Sequence, residues 1–266
     1  MDKDFGLDED LALAHALADA ARSVSMTYFR RSPRQWRKRD GSLVTEADEA
    51  TEDEVRRRLA SERPTDAMLG EERGQIGTGR RRWIVDAIDG TVHFAAGLPK
   101  WETLIALEVD GRVVVGVCDS PAREKRCWAV RGGGAFRADD GKEGARVAVS
   151  RNRVLEGARS FVPPPEWLPD RRAQELAEKL STLTNPAPPE DHPALQVAFG
   201  GYDVAFFFMG GAWDVAAPSI VVEEAGGKFT DFGGRYALET GCIFSNGLVH
   251  DAAVRITGEG RSSAAR

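Results

Sequence analysis

Trp83-Ile84-Val85-Asp86-Ala87-Ile88-Asp89-Gly90-Thr91 is the stretch whose reading decides this chain. Trp83 to Val85 form a short apolar strand that ends on acids, so Asp86 and Asp89 stand where a sheet stops and the backbone changes direction. The two carboxylates are three residues apart with the Ile88 carbonyl between them, and together they present three oxygens to hard cations. Magnesium takes oxygen ligands in near-octahedral geometry and keeps water and phosphate in its shell. Gly90 and Thr91 then offer backbone N–H groups at a helix start, which favours a phosphate oxygen. Taken alone, the segment has a second reading, an Asp-Gly turn with a capping acid.

Three acids elsewhere bear on the choice. Glu71 lies in the turn Gly70-Glu71-Glu72, Asp214 opens the helix of Trp213-Asp214-Val215-Ala216-Ala217, and Asp48 follows Val44-Thr45-Glu46-Ala47. Singly, these read as a solvated loop acid, an N-cap and a first-turn helix acid. Together with Asp86 and Asp89, in this order, they point to one site.

Around these motifs the chain alternates helical and extended patterns. Asp8 to Arg31 carries apolar residues at helical spacing, and Thr45 to Leu59 reads as a second helix capped by Thr45 or Asp48. Arg30 to Asp40 is a basic connector, taken with Arg80 to Arg82 as solvated surface. Thr103 to Glu108, Val113 to Cys118 and Cys127 to Val130 read as successive strands separated by Asp110-Gly111 and Ser120-Pro121 turns. Gly132-Gly133-Gly134 is a turn, without the strand-to-helix context of a dinucleotide loop. Asp170 to Leu180 and Trp213 to Ala225 read as helices, the latter stopped by Gly226-Gly227. Lys228 to Thr230 and Cys242 to Ser245 close as strands, and two proline-rich connectors cover Val162 to Pro169 and Asn185 to Pro193. Layered α/β packing follows.

Composition narrows the partners. In 266 residues, 42% hydrophobic and 29% charged describe an ordinary globular chain with a sizeable core. A net charge of -6 argues against nucleic acid and against the basic groove of a two-metal nuclease, while suiting carboxylates gathered around cations. The acidic stretch Met1 to Asp10 lacks the basic and apolar regions of a signal peptide, and no apolar run is long enough to span a membrane. Cys118, Cys127 and Cys242 form no CxxC pair and an odd count, so no disulfide framework is implied. These features set the expectation of a cytoplasmic protein, with residues 260 to 266 as a disordered tail.

The motifs resemble the inositol monophosphatase-like superfamily of metal-dependent, lithium-sensitive phosphatases. Gly70-Glu71-Glu72, Asp86 to Thr91, Trp213 to Ala217 and Glu224-Ala225-Gly226-Gly227 match its pattern. Leu43-Val44-Thr45-Glu46-Ala47-Asp48 and Ser245-Asn246-Gly247-Leu248-Val249-His250-Asp251 match as well. The similarity spans nearly the whole chain, and only Leu155 to Pro193 matches poorly. It implies a layered αβαβα sandwich, a single catalytic domain over 1–266 with sub-layers near 1–150 and 151–260, a homodimer, and two or three Mg2+ ions. By position the metal ligands would be Glu71, Asp86, Asp89, Asp214 and the Ile88 carbonyl. Thr91 paired with Asp48, assisted by Glu71, would orient and deprotonate a magnesium-activated water. Gly90 and Thr91 amides would hold the phosphate, with Asp214 also on the substrate side, and Lys38 aligns with a loop lysine near the site. A non-catalytic scaffold would require the loss of an acid or of Thr91, and none is missing.

Two departures bear on the substrate, a small phosphate monoester. Ala87 replaces the family proline without removing a ligand. Phe206-Phe207-Phe208-Met209-Gly210-Gly211 is apolar where members specific for inositol phosphate carry a hydroxyl-binding acid. The run Pro99-Lys100-Trp101-Glu102-Thr103-Leu104-Ile105-Ala106-Leu107 resembles the histidinol-phosphate phosphatase branch, which belongs to histidine biosynthesis. The expected substrate is therefore histidinol phosphate, with inositol, cyclitol or sugar phosphates and nucleotide 3′-phosphates as alternatives. Trp101 and Phe206 to Phe208 read either as a stacking surface for a cationic ring or as core. Glu102 reads as a pocket acid or a solvated strand position. His93 reads as a pocket residue rather than a metal ligand, because magnesium prefers oxygen.

Overall fold

The computed structural model describes residues 6–238 and 241–259; the tail expected at 260–266 and the first five residues lie outside them. Two helices come first. α1 (Leu7–Tyr28) buries the stripe Leu13, Leu17 and Ala21, and it ends just before Arg30, which turns to a φ of 61°. A short antiparallel ribbon, β1 (Gln35–Arg37) with β2 (Leu43–Thr45), leads into α2 (Glu46–Glu62). Thr45 is the N-cap of α2: its hydroxyl accepts from the Ala47 amide, and Asp48 accepts from the Thr45 amide in a capping box.

An eight-stranded sheet follows. Its strands are β3 (Ala67–Gly70), β4 (Gly74–Ile76), β5 (Arg81–Asp89), β6 (Glu102–Val109), β7 (Arg112–Ser120), β8 (Lys125–Val130), β9 (Gly134–Asp139) and β10 (Ala145–Arg146). Their order in space is β10-β9-β8-β7-β6-β5-β3-β4, antiparallel at every pair except β3 with β5. β5 to β9 run as a meander because tight turns such as Asp110-Gly111 join neighbours directly. Between β5 and β6 comes the single turn and a half of α3 (Thr91–Ala95).

The second sheet holds β11 (Arg159–Phe161), β12 (Asn185–Pro186), β13 (Val204–Phe207), β14 (Lys228–Asp231) and β15 (Cys242–Ser245), in the order β12-β11-β13-β15-β14. Four helices accompany it: α4 (Arg171–Leu183), α5 (Pro193–Ala198), α6 (Ala212–Glu224) and α7 (His250–Glu259). Asp170 caps α4 by accepting from the Ala173 amide.

Three apolar clusters fill the four interfaces between five layers. Leu17 of α1 and Val55 of α2 pack on Trp83, Val85 and Ile105 of the first sheet. On its opposite face Ile84, Leu104 and Ala106 meet Val215, Ile220 and Val221 of α6, whose far side meets Phe229 and Phe244 of the second sheet. α6 is therefore buried all round, which explains its almost unbroken apolar sequence. Leu180 of α4 and Ala253 of α7 close the outer side on Val204, Phe206 and Ile243. The expected αβαβα sandwich is what forms. None of the described helices is long and apolar enough to cross a membrane.

One local reading needs revision. Arg81 is not solvated: it is 11% exposed and reaches Asp10 at 2.7 Å and Asp66 at 3.2 Å, and Asp66 also accepts from the Trp83 indole. This buried cluster pins the first turn of α1 to the head of β5. Arg82 pairs with Glu108, and only Arg80, on Asp110, is surface-like. The Ser245 to Asp251 motif is structural: His250 bridges the Ser245 and Thr230 hydroxyls at 2.8 and 2.9 Å, and Asn246 accepts from the Leu248 and Val249 amides.

Removing one partner of a buried ion pair strands the other, whereas an exposed pair contributes little. Asp10→Ala should therefore lower unfolding stability in urea by about 3 kcal/mol or more. Arg80→Ala should barely move the same transition.

Candidate active site

The β5–β6 ladder breaks where the acids lie. Asp86 pairs with Leu104 and Asp89 with Glu102, so the register shifts between them and the backbone bulges at Ala87-Ile88. The Thr103 hydroxyl holds the bulge by donating to the Ala87 carbonyl at 2.8 Å, and the Asp86 carboxylate accepts from the Ile88 amide at 3.0 Å. Because of the bulge, Asp86 and Asp89 leave the strict alternation of a strand and act on the same side. Gly90 follows at φ 86°, and a Cβ there would stand 2.9 Å from the Lys100 carbonyl oxygen. Only glycine makes that turn into α3 without strain.

Asp214 arrives from the far side of the first sheet, in the first turn of α6. It is not the N-cap: Gly211 holds that place, and Asp214 sits at the third helical position, accepting from the Gly211 amide. Ligand oxygens of Asp86, Asp89 and Asp214 lie within 4.8 Å of one another. Burial pushes the carboxyls of Asp86 and Asp89 well above their ordinary range, and their acidic neighbours add to the effect, Glu71 foremost for Asp86 and Asp214 for Asp89. Burial raises Asp214 to about 6. A group of oxygen-only donors that repel one another in a partly buried place is what a hard divalent cation relieves. The donor set fits such an ion.

Glu71 stands at the rim, bonded to Lys38, whose ammonium lies 2.8 Å from Glu71 and 2.7 Å from Glu72. The turn that carries Glu71 is organised by Glu52 of α2, a residue absent from the sequence reading. Its buried carboxylate accepts from the Glu72 and Arg73 amides at 2.7 and 3.1 Å. A Cβ at Gly70 would lie 2.3 Å from that carboxylate, which is why the turn begins with glycine. Asp48 serves two ends: Oδ2 closes the capping box of α2, and Oδ1 accepts from the Thr91 hydroxyl at 2.8 Å. The Ile88 carbonyl is 3.2 Å from the same hydroxyl. Asp48 is thus a helix-capping acid on one oxygen and the partner of the Thr91 hydroxyl on the other.

A cleft of about 550 Å³ opens beside Asp89 and Gly90. Its walls are the two proline-rich connectors, including Pro164, Trp167, Pro186 and Pro189, and its floor holds Glu102, Asp191 and His192. Glu102 is 5% exposed and burial pushes its carboxyl to about 7, so it is a pocket acid and not a solvated one. Trp101 is core, edge-on to Phe94 with centroids 4.9 Å apart, with its margin on the cleft. Phe206 is core, Phe207 stacks on His192, and Phe208 packs against Phe232. His93 lines the cleft and is not one of the three clustered carboxylate groups. Asp191 and His192 carried no signal in the sequence beyond the prolines around them.

The sequence profile of the inositol monophosphatase family matches residues 7–260. The chain belongs to that family. It is 40% identical over 248 residues to the histidinol-phosphatase of Mycobacterium tuberculosis, covering 91% of this chain and 95% of that one. It is 38% identical over 251 residues to the histidinol-phosphatase of Streptomyces coelicolor, with 91% and 94% covered. Among solved structures an IMPase of Thermotoga maritima superposes with a TM-score of 0.78 at 29% identity, over 97% of this chain and 98% of that one. As a member of the inositol monophosphatase family, this chain is a metal-dependent phosphoric monoester hydrolase.

Crowded carboxylates destabilise the metal-free protein, so removing one charge should relieve it. In chelator, Asp89→Asn should melt a few degrees above the unaltered chain. Added divalent cation should raise the melting temperature of the unaltered chain and leave that of Asp89→Asn almost unmoved. Equal stabilisation of both by the cation would show that Asp89 does not hold it.

Proposed function

We propose that this chain hydrolyses histidinol phosphate with magnesium. The observation that carries the reading is an oxygen-only carboxylate cluster, Asp86, Asp89 and Asp214, opening on a cleft with acids in its floor and aromatic margins. Two histidinol-phosphatases at 40% and 38% identity support it. Phe206 to Gly211 holds no carboxylate for a polyol's hydroxyls, which speaks against inositol phosphate.

In this reading Glu71, Asp86, Asp89, Asp214 and the Ile88 carbonyl hold the ions. Bound magnesium neutralises phosphoryl charge and makes water more acidic. The protein does the rest. The Thr91 hydroxyl donates its hydrogen bond to Asp48, which leaves the hydroxyl oxygen's lone pairs to accept from the attacking water, and the Thr91–Asp48 pair with Glu71 takes up that water's proton. Amides of Gly90 and Thr91 hold phosphate oxygens where the backbone turns into α3. Water oxygen bonds to phosphorus, the bond from phosphorus to the alcohol oxygen breaks, and the alcohol oxygen leaves toward the cleft, taking up the proton that the attacking water gave to the Thr91, Asp48 and Glu71 group. The groups involved come from both halves of the chain, so 1–266 acts as one catalytic domain.

A site that lacks the polar partner of a hydroxyl discriminates against the polyol. In a mixture of histidinol phosphate and inositol 1-phosphate with magnesium chloride, kcat/KM should favour histidinol phosphate about tenfold or more. Preferential release of inositol would overturn the substrate. Millimolar lithium chloride should lower turnover; full activity in its presence would separate this chain from the lithium-sensitive members.

A further inference from the structure

Buried polar atoms in folded proteins almost always have a hydrogen-bond partner, and one that lacks it stands out. Among the described residues, three such atoms belong to residues that line the same cleft: Glu102 Oε2, His192 Nδ1 and Trp101 Nε1. Glu102 opens β6 as the register partner of Asp89, so its side chain begins one inter-strand spacing from the carboxylate cluster. Its other oxygen, Oε1, accepts from the Ser120 hydroxyl at 3.0 Å and lies 3.4 Å from the His192 amide. Those bonds fix the carboxylate while Oε2 stays unused. The nearby cations do not answer it: Arg123 and Lys125 pair with Asp191, and Lys100, also on the cleft, makes no bond to Oε2.

We propose that Glu102 determines specificity in this cleft, its unpartnered oxygen accepting a hydrogen bond from a protonated amine on the alcohol half of the ester. The assignment deepens the histidinol phosphate reading and rests on it for the identity of that amine. An ammonium group entering between Pro164, Pro186 and Trp167 loses water to apolar walls, and a pre-positioned carboxylate returns that interaction. A neutral polyol offers hydroxyl donors but no charge, so it gains less from the same oxygen. The distance from the reacting phosphate also fits a short alcohol, because Glu102 and Asp89 are neighbours across the ladder.

The test compares esters that differ only in the amine. Histidinol phosphate is paired with its des-amino analogue, 3-(imidazol-4-yl)propyl phosphate, and 2-aminoethyl phosphate with ethyl phosphate, all with magnesium chloride. The unaltered chain should prefer the amine-bearing member of each pair by about tenfold or more in kcat/KM. Glu102→Gln keeps the shape and removes the charge, and the preference should fall to within about threefold. The ratio does not depend on the fraction of active protein, so a general loss of packing cannot mimic the result. If Glu102→Gln proves insoluble, Glu102→Asp, with its carboxylate withdrawn by one methylene, reads the same ratio. A preference that survives substitution, or its absence from both pairs in the unaltered chain, overturns the assignment. An amine preference in the short pair that vanishes on substitution, beside inert histidinol phosphate, retires the substrate reading and keeps Glu102 in its role.

Discussion

Everything at the site depends on a broken ladder. A β-strand sends successive side chains to opposite faces, and two carboxylates three apart would then point away from each other. The register shift between Asp86 and Asp89 removes that constraint, at the cost of backbone groups that leave the sheet and must be answered elsewhere. Thr103 answers the Ala87 carbonyl, Asp86 answers the Ile88 amide, and Thr91 answers the Ile88 carbonyl. The bulge is held by side chains that belong to the site or flank it, which ties the stability of the loop to its chemistry.

Around this break, the atoms of the proposed site also hold helix ends and turns together. Asp48 caps a helix with one oxygen and receives the Thr91 hydroxyl with the other. Asp214 completes the first turn of α6 while standing within 4.8 Å of two other acids. Glu52 spends a buried carboxylate on the amides of the turn that displays Glu71. Asp48, Asp86 and Asp214 are thus positioned by a helix end or a bulge, where backbone N–H groups lack ladder or helix partners. Those same amides offset part of the mutual repulsion of the acids.

The two sheets contribute unequally. The first sheet and α6 assemble the carboxylates, and the second sheet supplies the connectors that wall the cleft. Pro164, Pro186 and Pro189 make those walls stiff and apolar, since proline fixes φ and offers no N–H. A wall of this kind discriminates by shape and leaves polar recognition to the few groups in the floor, Glu102, Asp191 and His192.

The local pattern of residues already determined much of this. Strand, acid pair, glycine and threonine between Trp83 and Thr91 allowed a cation and phosphate site or a capped Asp-Gly turn, and the acids at Asp48, Glu71 and Asp214 favoured the former. The helix at Thr45 was legible from its cap, and the meander from its turns. What the sequence did not determine was which distant groups would meet. That Arg81 is buried follows from Asp10, 71 residues away. That Glu102 is a pocket acid follows from Ser120 and His192, which lie 18 and 90 residues from it. Glu52, Asp191 and His192 carry no local signal at all. Burial and orphaned hydrogen-bonding atoms arise only when layers close on one another, so the cleft and its specificity belong to the tertiary structure.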